Sequence, residues 1–233
     1  MRQIFLDTET TGLYADKGDR IIEIGGVEMV NRKLTGAHFH HYLNPGRDSH
    51  EEALRIHGIS NEFLRDKPVF AAVADDLLAY LAGAEVIIHN ASFDLGFLNQ
   101  ELALLGRPPV SQVLGSVTDT LVLAKEMFPG KRNSLDALCD RLGVDNSGRT
   151  LHGALLDAEL LADVYINMTR GQDALLMECA APTDGVGQSF VADLCAFDLP
   201  VLLANAQELE AHADVLRQID KSSGGKTVWA ASA

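Results

Sequence analysis

Apolar residues in the first 170 positions fall into short runs early in the chain and into helical periods later. Residues 4–7, 21–30 and 38–43 read as strands, built around Ile4-Phe5-Leu6, Ile21-Ile22-Glu23-Ile24 and Phe39. Their near-contiguity predicts an antiparallel meander. Ser60 is placed to cap a short turn. Phe70, Val73, Leu77, Leu78 and Leu81 recur at the spacing of one helix face, which Gly83 ends. Val86-Ile87-Ile88 predicts a short buried strand, and a helix over residues 93–105 follows. Residues 117–119 suggest another strand, leading into a helix that Pro129-Gly130 stops. Ser134 caps a helix with Leu135, Leu138 and Leu142 inward, and Gly143 closes it. A last clear helix covers residues 154–168. Strands first, then alternating helices and strands, predict an α/β fold with a mixed sheet covered by helices.

The pattern changes after Gly171. Residues 1–175 form the expected globular domain and residues 176–189 a flexible linker, with Ala-Ala-Pro-Thr-Asp-Gly-Val-Gly-Gln at 180–188. Residues 190–233 are a helical and extended tail: apolar over 190–203, helical near 206–219, then rich in Ser and Gly over 221–226. A tail of about 45 residues is too short for a self-sufficient core, so docking on a partner is expected.

Composition narrows the class. The chain has 233 residues, 47% of them hydrophobic, and no apolar run as long as a membrane span. No charged segment followed by an apolar one opens the sequence, so secretion is not expected. Cys139, Cys179 and Cys195 are far apart and lack metal-ligand spacing, which reads as reduced thiols of a cytoplasmic protein. The formal net charge of −14, denser past residue 170, argues against a broad basic surface gripping a duplex. Nucleic acid is not thereby excluded. A carboxylate site holding a divalent cation reverses the local field, and a protein held to DNA by a partner need not bind tightly itself.

Asp7-Thr8-Glu9 follows directly on Ile4-Phe5-Leu6. Side chains two apart on a strand point the same way, so Asp7 and Glu9 converge where an apolar strand emerges from the core. A divalent cation relieves their repulsion. Two further carboxylates stand in apolar settings. Asp94 lies in His89-Asn90-Ala91-Ser92-Phe93-Asp94, near a helix start, and Asp157 lies in a helix among Ala154, Leu155, Leu156, Ala158, Leu160 and Leu161. Such burial is costly without a partner or a metal. Four carboxylates suffice to hold two Mg²⁺ ions that activate a water and steady the departing oxygen of a phosphodiester. His152 and Asp157 on one helix would stand about 140° apart, so His152 belongs to the loop before it, able to swing over the site as a base.

Asp7-x-Glu9, His89-Asn90-x-x-Phe93-Asp94 and His152-x-x-x-x-Asp157 resemble the three motifs of the DEDD exonucleases, in their histidine subgroup; the tyrosine subgroup would carry Tyr at position 153, where this chain has Gly153. Leu6-Asp7-Thr8-Glu9-Thr10-Thr11-Gly12, Ile21-Ile22-Glu23-Ile24-Gly25 and the stretches 127–139 and 149–158 are similar, more closely, to the proofreading subunits of bacterial replicative polymerases. The resemblance covers residues 1–170, and the tail more loosely. It implies an RNase H-like five-stranded sheet and 3′→5′ removal of nucleotides as 5′-monophosphates, with two Mg²⁺ or Mn²⁺ ions as cofactors. Asp7, Glu9, Asp94 and Asp157 become metal ligands and His152 the general base. Asp7, Thr8, Glu9, Thr11, Leu13, His57, Asn90, Phe93 and Asp157 become contacts of the substrate, His57 near the primer 3′ end and Phe93 stacking on a base. Stacking of that kind is blind to sequence, which suits an editor of any base.

The implied partners are a single-stranded DNA 3′ end, the polymerase (alpha) subunit bound through residues 190–233, a small theta-like subunit, and no membrane. Residues 172–177, Gln-Asp-Ala-Leu-Leu-Met, resemble the peptides that dock on the sliding clamp, without their terminal aromatic. Other features have plainer readings. His38 and His40 share a strand face but, with no carboxylate or cysteine nearby in sequence, read as solvated. Lys131, Arg132 and Arg149 either meet phosphates or neutralise the acidic surface. Asp119 reads as a helix cap. The rival functions are an RNA-trimming relative and a non-catalytic scaffold subunit; buried carboxylates have no evident value in the latter.

Overall fold

The structure, a computed structural model, describes residues 2–148, 151–170 and 204–224. By contacts the chain divides into two units, Met1–Ala180 and Ala181–Ala233. In the first, β1 (Arg2–Thr10), β2 (Ile21–Val30) and β3 (Lys33–Tyr42) form the antiparallel meander, and β4 (Glu85–Ile88) and β5 (Ser116–Asp119) add in parallel, in the order β3-β2-β1-β4-β5. The helices of this unit are α1 (Glu51–His57), α2 (Asn61–Leu64), α3 (Phe70–Leu81), α4 (Ala91–Leu104), α5 (Thr120–Met127), α6 (Leu135–Leu142) and α7 (Ala154–Met168). In the second unit, α8 (Ala206–Ser223) opens on a capping box between Asn205 and Glu208.

Alternation along β1 divides the core. Ile4 and Leu6 face α3 and α4, packing with Phe70, Leu77, Leu81 and Leu98, while Phe5 faces the other way, with Leu138, Leu161 and Val164 of α6 and α7. The sheet is thus covered on both faces, as the pattern of elements predicts.

The caps read from the sequence hold. The Ser60 hydroxyl accepts from the Phe63 N–H, that of Ser134 from the Ala137 N–H, and the Asp119 carboxylate from the N–H groups of Leu121 and Val122. Several boundaries differ: β3 starts at Lys33, paired with Val30, rather than at 38, and two other differences bear on the site. β1 runs on to Thr10, because β2 pairs with the backbone of Asp7, Thr8 and Glu9 whatever their side chains; the acidic pair lies inside the strand, with a register irregularity just after Glu9. Ile56 and His57, which carry no helical period in the sequence, end α1, closed by Gly58 in the left-handed region (φ 69°). The linker at 176–189, the apolar stretch 190–203, the clamp-like residues 172–177, Arg149, Cys179 and Cys195 lie outside the described residues.

Candidate active site

Three elements carry the four carboxylates. β1 supplies Asp7 and Glu9, α4 supplies Asp94 in its first turn, and α7 supplies Asp157 in its first turn. Glu9, Asp94 and Asp157 are 9%, 2% and 3% exposed. His152 sits on the loop before α7, half exposed, with Nδ1 3.3 Å from Asp157 Oδ2. Glu9, His152 and Asp157 each present one atom within 4.8 Å of the others. Asp7 and Asp94 stand outside that tight group.

Asp94 is held separately. Its Oδ1 accepts a 2.7 Å hydrogen bond from the Thr8 hydroxyl, so the residue between Asp7 and Glu9 orients the carboxylate of another element. Burial pushes the Asp94 carboxyl up to about 7; the Thr8 hydroxyl works against this, and the nearby charge of Asp119 adds to it. Asp119 does more than cap α5. Its carboxylate also accepts from the N–H groups of Asn90 and Ala91, at 3.2 and 3.0 Å, and so ties the start of α4 to the start of α5. Buried, like-charged oxygen donors of this kind fit a hard divalent cation, which would offset the desolvation they carry.

A cleft of about 820 Å³ opens beside these groups, with Thr8, Glu9, Leu13, Ile56, His57 and Phe93 in its walls. Leu13 is largely exposed, while Phe93 is half-buried against Phe97, ring centroids 4.9 Å apart. His57 is buried. Its Nδ1 accepts from the Ile59 N–H at 3.0 Å, and its Nε2 has no partner among the described residues. Burial, reinforced by the charge of His152, lowers its pKa, so a neutral ring presents an Nε2–H donor.

Four expected contacts, Asp7, Asp157, Thr11 and Asn90, stand apart from the cleft wall, the first two among the carboxylates already described. Thr11 is fully buried; its hydroxyl donates to Asp19 and accepts from the Arg20 N–H, which fixes the turn after β1. Asn90 is exposed in the left-handed region (φ 68°), with its N–H taken by Asp119. The reading of His38 and His40 as solvated needs correction at His40, whose Nε2 lies 2.7 Å from Glu23 Oε1. The sheet register, not sequence proximity, supplies that carboxylate: His40 opposes Gly25, one side-chain step from Glu23 on the same face.

Sequence reasoning missed Asp19. It is 3% exposed and gathers the Tyr14 N–H, Arg47 and His50 at 3.0–3.1 Å. Burial alone would raise its carboxyl, but the Tyr14 N–H, the charges of Arg47 and His50 and the Thr11 hydroxyl hold it below its usual value. An aspartate in a charged loop carries no sequence signal for this. Its partners Arg47 and His50 come from about 30 residues away, across a loop that periodicity does not describe.

The exonuclease family model matches residues 4–165. The DNA polymerase III subunit epsilon of Pasteurella multocida is 52% identical over 98% of this chain and 93% of its own length, and that of Escherichia coli K12 is 50% identical over 99% and 98%. Among solved structures, exonuclease X in complex with 5′ overhanging duplex DNA is 26% identical, with a TM-score of 0.57 over 73% of this chain and 93% of that one. The nuclease domain of 3′hExo, a DEDDh member bound to rAMP, shares the fold at 18% identity and a TM-score of 0.58, over 72% and 92%.

Proposed function

Since this chain belongs to the exonuclease family, among the DNA polymerase III epsilon subunits, we propose that its carboxylates and His152 form the hydrolytic centre of its 3′→5′ proofreading activity. The observation that carries the assignment is the convergence of Glu9, His152 and Asp157 within 4.8 Å, with Glu9 also in the wall of the cleft of about 820 Å³.

Divalent-metal dependence comes with the family. The finer reading is two ions, Mg²⁺ or Mn²⁺, held by Asp7, Glu9, Asp94 and Asp157, with Thr8 fixing the direction of Asp94. Bound ions would supply an acidified water and stabilise charge on the phosphodiester oxygens. The rest falls to the chain itself. His152 Nδ1–H directed at Asp157 puts the basic lone pair on Nε2, and the half-exposed ring has room to approach the water and take its proton. Leu13, Ile56 and Phe93 offer apolar contact to the terminal base without reading its edges. The His57 Nε2–H is a donor of fixed direction for an oxygen of the strand end. A mispaired terminus frays more often, so a cleft that accepts single strands selects it without inspecting the mismatch.

Residues 190–233 are assigned to the polymerase (alpha) subunit and 172–177 to the sliding clamp, with a small theta-like subunit as a further partner and the bacterial cytoplasm as location. The deciding measurement is hydrolysis of 5′-labelled single-stranded DNA with Mg²⁺ or Mn²⁺. A ladder shortening from the 3′ end, lost with EDTA and in Asp7→Ala, is the expected result. No cleavage by protein that binds Mn²⁺ would refute it.

A further inference from the structure

α7 carries Asp157, and its N-terminus has no cap of its own: Gly153 stands at the cap position and supplies no side-chain acceptor. The acceptor comes from another element. Glu23 of β2 is 2% exposed, and its Oε2 accepts from the Ala154 N–H at 3.2 Å. Its Oε1 meets His40 Nε2 at 2.7 Å, and the Tyr42 phenol, its pKa raised first by burial and then by the Glu23 charge, is hydrogen-bonded to the same carboxylate. Glu23 is therefore fixed from the β3 side while it holds α7 on the other.

Glycine makes this approach possible. A Cβ on Gly25 would stand 2.2 Å from both the Ala154 carbonyl carbon and the Leu155 nitrogen, so β2 and the first turn of α7 meet backbone to backbone. Glu23 lies one step along the same face and directly opposes the ligand Glu9 in the sheet register. A negative group at a helix N-terminus is favourable, yet full burial of a carboxylate is a costly way to gain a cap that Ser or Asp at position 153 would provide. What a cap at position 153 would not provide is a link between Glu9 on β1 and Asp157 on α7.

We propose that Glu23, outside the ligand set, is a positioning residue: by clamping the Ala154 N–H from the strand beside Glu9, it sets the separation of Glu9 and Asp157 and the anchor of the loop bearing His152. The inference rests on the hydrolytic reading of the site. It is tested on the full chain with Glu23→Ala and Glu23→Gln, measuring Mn²⁺ binding by calorimetry and turnover of a single-stranded oligonucleotide, both well below the melting temperature. Glu23→Ala is expected to weaken Mn²⁺ binding and lower kcat by about tenfold each, as loss of outer partners does at metal sites, with KM within about twofold. Glu23→Gln keeps an oxygen for the Ala154 N–H and is expected to recover most of both. An alanine variant with a lower melting temperature but unchanged kcat and Mn²⁺ affinity would reduce Glu23 to a structural role, and a glutamine variant no better than alanine would equally overturn the proposal. Should Glu23→Ala not fold, His40→Ala frees the outer end of the clamp from a half-buried position. A smaller fall in the same two quantities is then expected, and none overturns the idea. Failure of the unsubstituted protein to bind Mn²⁺ or cleave DNA would instead remove the hydrolytic reading.

Discussion

The Thr8 hydroxyl donates to the Asp94 carboxylate across 2.7 Å, joining the second residue of the strand motif to a helix 86 positions later. Both groups are buried, so the bond is shielded from water, and its loss leaves the carboxylate only backbone N–H donors. Thr8→Val preserves shape and removes the hydroxyl. It is expected to destabilise the protein by about 1–3 kcal/mol and to move the acidic limb of the kcat/KM profile to higher pH, because the donor that favours ionised Asp94 is gone. Chemical denaturation and a pH–rate profile check both; an unmoved limb would separate Asp94 from catalysis.

Asp94 itself has a pH signature. A carboxyl whose pKa in the fold, about 7, lies above its unfolded value binds more protons folded than unfolded. Its contribution to stability is present at low pH and is lost as pH rises through about 7. In metal-free protein, Asp94→Asn is therefore expected to raise the melting temperature at pH 8 and by much less at about pH 4, near the unfolded carboxylate value; with metal supplied it is expected to abolish turnover. Scanning calorimetry at the two pH values, in EDTA, is the measurement.

Removing the proposed base should spare metal binding. His152 is half exposed and its partner Asp157 is buried, so His152→Ala is expected to lower kcat by about 10²–10⁴ while Mn²⁺ affinity changes by less than about tenfold. A drop in Mn²⁺ binding as large as the drop in kcat would make His152 a ligand.

The two units suggest a division of labour. A chain ending at Ala180 is expected to hydrolyse single strands at the rate of the full chain and to lose binding to the polymerase subunit, read by gel filtration of the mixture. Binding retained by the shortened chain would place the polymerase surface on the exonuclease domain.

Local signals were readable and distant ones were not. Ser134, Asp119 and Gly143 act on backbone within a few residues, so a single chain discloses them. The helix at 154–168 was legible for the same reason, its apolar period being unbroken. The carboxylates of the site showed themselves by being charged where neighbours are apolar, and the family motifs tied them together. Glu23 sits in just such an apolar run, yet its task depends on a helix 131 residues away. The extent of β1 was missed because partner strands, not side-chain polarity, decide where pairing stops. α1 escaped notice because seven residues hold too few apolar positions to show a period, and His50 offers no side-chain cap.

The loop carrying His152 is pinned where α1 ends. The His152 N–H donates to the Ile56 carbonyl at 3.2 Å, and a side chain at Gly58 would collide with Leu151, 2.4 Å from its Cδ1. Ile56 and His57 form the wall against which a strand end would rest. The residue proposed to withdraw the proton and the wall proposed to receive the nucleotide are thus tied together through the backbone. On the proposed roles, a terminus that sits badly would disturb the segment that aims the base, so poor seating and slow chemistry would arrive together, with no separate device guarding against a strand not properly gripped.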